Sequence, residues 1–494
     1  MNLVTYVLGQ QVAQGHGNDV ALLTPEGPIT FDSLWVLCLK AAGALATRGV
    51  RRGDRVVIAL PDGLNFVTAL FGTLAVGGVV VMTNPEAPTE QHQQLARYVG
   101  ASVMLEPHNA QQWQEQVHNG NTLVDPVVID SQDDAFWLLT SGSTGAPKAA
   151  MHRHKDFIAH IETYAKGVLG MNRRDRTMAV SKLHFPYATG MNLLFPLAVG
   201  GSAVLFPQRA CAEELLSLAG EHKPTIFSTV PTMTARLLAR PSQEQAAFRS
   251  LRFAVSAGEA LPADQLSKWN QVQNVPLLDG IGSAEMFHVY ITNRRDDVRP
   301  VCLGLCVPGY ETRVVGEDGR VVGEDEVGLL HVRGPSSAHG YHDDPERSAR
   351  VFLNDGWVVT GDMFRKTADG YHHYEGRSDD LLKVAGLYVS PLEVEAVLRE
   401  HPAVKDCAVV GHADEQGLVK PRAFLVLEPG SKDGEELWQE LGAFVRERLL
   451  GYKIPKWWVS LVELPRNDRG KVMRRILREN FLTTPLETHT PGRA

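Results

Sequence analysis

The chain has little of what several function classes require. Five cysteines in 494 residues (Cys38, Cys211, Cys302, Cys306, Cys407) are odd in number and scattered. Cys302 and Cys306 make a C-x-x-x-C pair, but no second Cys/His pair lies near enough to complete a zinc site. All five are expected as reduced thiols in a reducing compartment. Basic charge is also short. Lys+Arg total 49 against 57 Asp+Glu, a net charge of -8, which argues against a general nucleic-acid binder. The longest nearly apolar window, Leu64 to Met82, contains Asn65, two threonines and three glycines, and Gly77-Gly78 divides it. No membrane span is expected there. The opening MNLVTYVLGQQVAQGHGND has no basic n-region and no extended apolar core, so no secretory signal is expected. No repeat of fixed period is present. With 44% hydrophobic and 21% charged residues, the composition is that of a soluble, cytoplasmic globular enzyme. Its length allows about three domains.

The most informative stretch runs from Phe136 to His154, FWLLTSGSTGAPKAAMHRH. Phe136 to Leu139 is an apolar run suited to a buried strand. It stops at Thr140-Ser141-Gly142-Ser143-Thr144-Gly145-Ala146-Pro147-Lys148, where no side chain is large before the lysine. Glycines let main-chain amides approach an anion, hydroxyls donate further hydrogen bonds, and lysine adds positive charge. A polyphosphate needs all three. The stretch is not G-x-x-x-x-G-K-[ST], because the lysine follows proline and no Ser or Thr follows it. A flexible Ser/Gly linker is the competing reading. It fails because a linker rarely follows a strand-like run or ends in Pro-Lys.

Elsewhere the chain alternates strands and helices. Val56 to Leu60, a helix from about Asn65 to Ala75, and Val79 to Met82 form a βαβ unit of a parallel sheet. Leu193 to Phe206 repeats the rhythm, and apolar runs continue at Thr225 to Val230 and Leu251 to Ser256. After about Pro308 short alternating runs (Thr312 to Val315, Gly328 to Val332) suggest a small antiparallel or barrel-like subdomain. A helix at Leu392 to Glu400, strands at Val404 to Val410 and Arg422 to Leu427, and a helix near Glu435 to Leu449 make a compact module. The tail TTPLETHTPGRA is expected to be disordered. Asp32-Ser33-Leu34 spells the tripeptide around a carrier-protein serine, but it lacks the preceding glycine and reads as punctuation of a helix.

Further loops follow strand-like runs: Ser256-Ala257-Gly258-Glu259-Ala260 and Asp279-Gly280-Ile281-Gly282-Ser283-Ala284-Glu285. Ligands of open parallel sheets bind beyond such carboxyl ends. Later come Thr360-Gly361-Asp362, Gly376-Arg377-Ser378-Asp379-Asp380, Lys383-Val384-Ala385-Gly386 and Pro465-Arg466-Asn467-Asp468-Arg469-Gly470-Lys471. Together and in this order, these motifs resemble the adenylate-forming superfamily of acyl- and aryl-CoA ligases, peptide-synthetase adenylation domains and luciferases. The resemblance covers nearly the whole chain.

That resemblance implies an α/β fold. It has a large N-terminal domain of parallel-containing sheets with a small barrel-like β subdomain, residues 1–378, and a small mobile C-terminal α+β domain, residues 379–494. It implies that ATP is bound by Thr140, Ser141, Gly142, Ser143, Thr144, Gly145, Gly258, Glu259, Asp279, Gly280, Ile281, Gly282, Asp362 and Arg377. The adenine contacts are main-chain ones at Gly258, Glu259 and Gly280, and Asp362 accepts from the ribose hydroxyls. Glu285 faces Mg²⁺, Lys148 the phosphates, and Lys471 bridges the substrate carboxylate and the α-phosphate. Asp379 is the hinge, and Gly386 lies by the channel for coenzyme A. Two positions depart from the superfamily's habit. Ala149 replaces Gly at little cost, and Ala284 replaces Thr, removing a hydroxyl worth about 1–3 kcal/mol if nothing compensates.

The segment Lys182 to Asn192, KLHFPYATGMN, with DGIGSAEMFH and SAGEALP, is similar to the benzoate-CoA ligase branch. There Tyr187, Ala188, Ala257 and His288 would line a pocket floored by Gly282. An aromatic ring and an imidazole over a glycine suit a flat ring. The implied partners are a small aromatic carboxylic acid such as benzoate or anthranilate, ATP and CoA, with neither nucleic acid nor membrane. A separate carrier protein as acceptor, a homodimer, and a non-catalytic acyl-adenylate-binding protein stay open.

Overall fold

The computed structural model describes residues 1–120, 124–141, 147–208, 211–241, 243–384, 387–466 and 472–479. Its chain divides into two compact units, Met1–Thr312 with Val332–Val359, and Arg313–His331 with Thr360–Ala494.

In the first unit a five-stranded sheet has the order Ala101–Leu105, Arg55–Ile58, Val79–Met82, Asp134–Ser141, Pro147–Arg153. The first four are parallel and the last antiparallel. The βαβ unit read from the sequence is present, with its helix at Leu64–Ala75. Val79–Met82 is buried throughout and Arg55–Ile58 from its second residue. That explains runs with no polar alternation. The strand expected at Phe136 to Leu139 extends to Asp134–Ser141. The strand Pro147–Arg153 pairs with it antiparallel, so Lys148 belongs to a strand.

A nine-stranded sheet is parallel through Leu277–Gly282, Phe253–Ala257, Ile226–Thr229, Arg176–Ala179, Ser202–Val204 and Val20–Thr24. Antiparallel strands finish both edges: Val289–Thr292 and Leu305–Cys306 on one side, Gly27–Thr30 on the other. Phe227, Phe248, Trp269 and Leu237 are among the side chains of the core on this sheet. Thr30, not Asp32 or Ser33, caps the helix Phe31–Thr47, its hydroxyl accepting from the Ser33 N–H.

The alternating runs lie in a four-stranded sheet, ordered Glu311–Val315, Gly328–Arg333, Val358–Lys366, His372–Arg377. The module after it has the helix Pro391–Arg399, the sheet Val404–Ala413, Val419–Leu427, Trp457–Ser460, and the helix Glu435–Arg446. Val394, Leu398, Val409, Leu425, Leu441 and Val445 form its core. The tail expected to be disordered lies outside the described residues. All five cysteines are free thiols, Cys211 exposed. No helix among the described residues is long and apolar enough to cross a membrane.

Candidate active site

Adjacent parallel strands put Ser256 opposite Asp279 and Ala257 opposite Gly280, so the two expected adenine loops leave the sheet side by side. Gly258 turns at φ 89°, a left-handed conformation that suits glycine. The Glu259 carboxylate accepts from the Thr232 hydroxyl (2.7 Å) and N–H (3.2 Å), in the first turn of the helix Pro231–Leu238. Its side chain therefore fixes the loop. Burial pushes the Asp279 carboxyl up to about 8, against N–H donors from Gly280 and Leu261. Its main-chain oxygen accepts from the Asn293 N–H and the Thr292 hydroxyl, both at 3.0 Å.

Tyr187 lies in the short helix Pro186–Thr189 and donates from its hydroxyl to the Val255 oxygen at 3.0 Å. Its ring stacks on His288, centroids 5.3 Å apart and planes at 28°. His288 Nε2 donates to the Tyr187 oxygen at 3.0 Å. Burial pulls the imidazole down to about 3, that bond opposing, so the ring is neutral. Phe195 packs edge-on against it at 4.8 Å. The two residues that the resemblance grouped are therefore in direct contact. Ala188 and Ala257 are buried beside their named neighbours in the chain. A Cβ at Gly282 would lie 2.4 Å from the His288 oxygen, and one at Gly190 2.5 Å from its ring. Both glycines are needed for close approach of chain to His288. Any residue larger than glycine at 282 would therefore disrupt the hairpin before it filled a pocket.

Between Gly282 and His288 the chain makes a 3₁₀ turn, Ala284–Met286, and then holds Phe287 at φ 67°. A bulky residue held in such a sparsely populated conformation costs on the order of 1–3 kcal/mol. The turn is tied at three carbonyls. His152 Nε2 donates to Ala284 O at 2.7 Å, Ala338 N–H to Glu285 O at 2.8 Å, and Ser336 Oγ to Met286 O at 2.7 Å. The Glu285 side chain accepts from the Tyr341 hydroxyl at 2.6 Å, a residue the sequence reading missed. Among the described residues no three acidic, His or Cys side chains form a metal cage. A single carboxylate of this kind suits Mg²⁺, which takes its remaining ligands from water and nucleotide oxygens.

Lys148 stands opposite Thr140 across the hairpin, and Ala149 opposite Leu139. Ala149 is thus extended strand, where nothing calls for glycine. The assignments to Gly142, Ser143, Thr144 and Gly145 lie outside the described residues, as do those to Gly386 and Lys471. For Ser141 only the main-chain pairing with Pro147 is described.

In the second unit Asp362 and Arg377 face each other on antiparallel strands. Arg377 Nη1 donates to Asp362 Oδ1 at 3.0 Å and to Thr360 O at 3.1 Å. Burial works against its charge, but the Asp362 carboxylate outweighs this and raises the guanidinium above its usual value. Gly361 at φ 74° leaves room, since a Cβ there would sit 2.9 Å from Arg377 Nη2. After Arg377 comes a tight turn, Asp380 N–H and Leu381 N–H both donating to its carbonyl at 3.0 Å. Asp379 lies in that turn, and its own carbonyl accepts from Arg478 at 3.2 Å.

The family model described as AMP-binding enzyme matches residues 9–342, and that of the AMP-binding enzyme C-terminal domain matches residues 393–471. A benzoate–CoA ligase of Thauera aromatica is 37% identical over 504 aligned residues, 97% of this chain and 95% of the relative. A p-hydroxybenzoic acid–AMP ligase of Mycobacterium tuberculosis is 33% identical over 97% of this chain and 69% of its own length. The crystal structure of the anthranilate CoA ligase AuaEII in complex with anthranoyl-AMP superimposes with a TM-score of 0.90 at 35% identity, over 97% of this chain and 96% of the other. The chain belongs to the AMP-binding enzyme family, on the benzoate–CoA ligase branch of the adenylate-forming superfamily.

Proposed function

We propose that the protein is an ATP-dependent aryl-CoA ligase acting on benzoate or a substituted benzoate such as anthranilate. The acid's carboxylate attacks the α-phosphorus of ATP, pyrophosphate leaves, and an aryl-adenylate remains. The sulfur of CoA then attacks the acyl carbon, and AMP leaves with the bridging oxygen. The observation that carries this reading is the Tyr187–His288 stack, bonded to Val255 just before the Ala257–Gly258 loop. Two flat rings are thereby packed together next to the turn proposed for adenine, at the carboxyl edge of a parallel sheet, which supports a flat, ring-shaped acid as substrate. The names of the relatives support the aromatic acid and CoA.

In this reading Tyr187, Ala188, Ala257, Gly282 and His288 surround the ring. Gly258, Glu259 and Gly280 hold adenine, Asp279, Ile281 and Gly282 complete the nucleotide loop, and Asp362 with Arg377 hold the ribose. Residues 140–145 and Lys148 hold the polyphosphate, and Glu285 would hold Mg²⁺, which neutralises phosphate charge when bound. Lys471 joins carboxylate and α-phosphate, and residues 379–494 swing about Asp379 so that CoA enters past Gly386. The protein works in the cytoplasm, where ATP and CoA are available. A second reading, loading of a separate carrier protein, is favoured by the likeness to the p-hydroxybenzoic acid–AMP ligase. The test is pyrophosphate release over benzoate, aminobenzoates, hydroxybenzoates and short fatty acids, with and without CoA. Aromatic-acid-dependent release with aryl-CoA as product is expected. Release without any thioester on adding CoA would favour the carrier reading, and release only with fatty acids would refute the aromatic assignment.

A further inference from the structure

The strand that carries Lys148 is paired on its outer side with the segment 338–342. His339 N–H donates to Met151 O (3.0 Å), Met151 N–H to Gly340 O (2.9 Å) and His342 N–H to Ala149 O (2.9 Å), with Ala150 bridged to Tyr341. This ladder inserts the Tyr341 ring between two charged groups. Its hydroxyl donates to Glu285 Oε1 at 2.6 Å, and Lys148 Nζ lies 5.5 Å from its ring centroid. The ring is buried and braced edge-on by Phe352 at 5.2 Å, while Ser348 Oγ accepts from the Tyr341 N–H at 2.8 Å. Tyr341 is thus a rigid post touching both residues assigned above to phosphate and cation.

The main chain around Glu285 is already fixed by His152, Ala338 and Ser336. That leaves the rotamer of a long carboxylate side chain to be set. A phenol hydrogen bond to a carboxylate is short and charge-assisted. It occupies Oε1, while Oε2 has no hydrogen-bond partner among the described residues. A hydroxyl on Ala284 is missing relative to the superfamily's habit, and here the hydroxyl that meets Glu285 comes from another segment.

We infer that Tyr341 is a positioning residue. It aims Glu285 Oε2 at the divalent cation that accompanies ATP and holds the Lys148 ammonium beside the same phosphates. The inference rests on the assignments of Glu285 and Lys148 under the proposed function. No bond is made or broken at Tyr341, so its effect is confined to the metal–nucleotide complex and does not reach the aryl-adenylate.

Calorimetric titration of the full-length protein tests this without reliance on turnover. The ligands are ATP at graded Mg²⁺ concentrations, ATP with chelator, and a non-hydrolysable aryl-AMP analogue. Tyr341→Phe keeps the ring, its packing and its contact with Lys148, and loses only the hydroxyl. Affinity for ATP at saturating Mg²⁺ should fall about tenfold, the scale of one hydrogen bond to a charged group. The Mg²⁺ midpoint should rise by a similar factor. Metal-free ATP, the aryl-AMP analogue and the melting temperature should be unmoved. In a Glu285→Gln background Tyr341→Phe should add nothing. Tyr341→Leu should weaken metal-free ATP as well, through Lys148. Unchanged Mg²⁺ dependence, equal loss of the aryl-AMP analogue, or additivity with Glu285→Gln overturns the inference. So does a parental protein whose ATP binding ignores the metal. Failure of the aryl-CoA reading shows separately, as a parental protein that binds MgATP but not the aryl-AMP analogue.

Discussion

Thr140 and Lys148 face each other across the antiparallel pair formed by Asp134–Ser141 and Pro147–Arg153. Each of the two is a paired strand residue. The ammonium group is therefore carried on a hydrogen-bonded strand rather than on a free loop. Lys148→Ala removes that charge and leaves the ladder in place. ATP affinity should fall by at least about tenfold, as for loss of a charge-assisted contact to phosphate. An aryl-adenylate analogue, which has no β- or γ-phosphate, should bind as before. Equal loss for both ligands in calorimetry would make the lysine a purely structural residue.

Asp279 should show itself in the pH dependence of stability. Its carboxyl is raised by burial from 3.8 to about 8, so the native protein keeps a proton that the unfolded chain has released. The stability it contributes is complete below about pH 3.8 and is lost as pH rises through about 8. Asp279→Asn mimics the neutral form at every pH. The melting temperature of the variant should therefore gain on that of the parent between pH 5 and 9. Parallel curves over that range would show that the carboxyl is not held protonated.

The two half-reactions should separate at the hinge. Lys471→Ala removes a charge placed at the forming bond and should slow adenylation by about 10²–10³-fold, the scale of losing one transition-state donor. Conversion of supplied aryl-adenylate and CoA to thioester should barely change. Asp379→Pro fixes φ in the turn after Arg377 and removes a main-chain donor, so it should spare adenylation and abolish thioester formation. Single-turnover assays begun from each intermediate measure both. Loss of both half-reactions in equal proportion in both variants would rule out alternation about residue 379.

Local pattern explains which parts of this were legible in the sequence. The βαβ unit at residues 55–82 could be read because continuous apolar runs and a Gly-Gly break report burial directly. Tyr187 and His288 could be paired only by resemblance, since nothing in spacing says that residues 101 positions apart will stack. Gly282 was read as a pocket floor, yet what a side chain there would meet first is the His288 main chain. A glycine required by its own hairpin and one left open for a ligand look the same in a sequence. The strand Pro147–Arg153 was hidden because Pro-Lys reads as the end of a loop, while its pairing is decided by strand Asp134–Ser141. Tyr341 carried no signal at all. It sits after a glycine in a polar stretch, and its role depends on a ladder to a strand from a distant part of the chain.

The most direct measurement of the central claim follows one oxygen atom. Benzoate, or the acid most active in the pyrophosphate screen, is supplied with both carboxyl oxygens as ¹⁸O, together with ATP, Mg²⁺ and CoA, and the AMP is analysed by mass spectrometry. Attack of the carboxylate on the α-phosphorus followed by thiol attack on the acyl carbon predicts AMP carrying one ¹⁸O for each aryl-CoA formed. Thioester formed together with unlabelled AMP would contradict an aryl-adenylate intermediate.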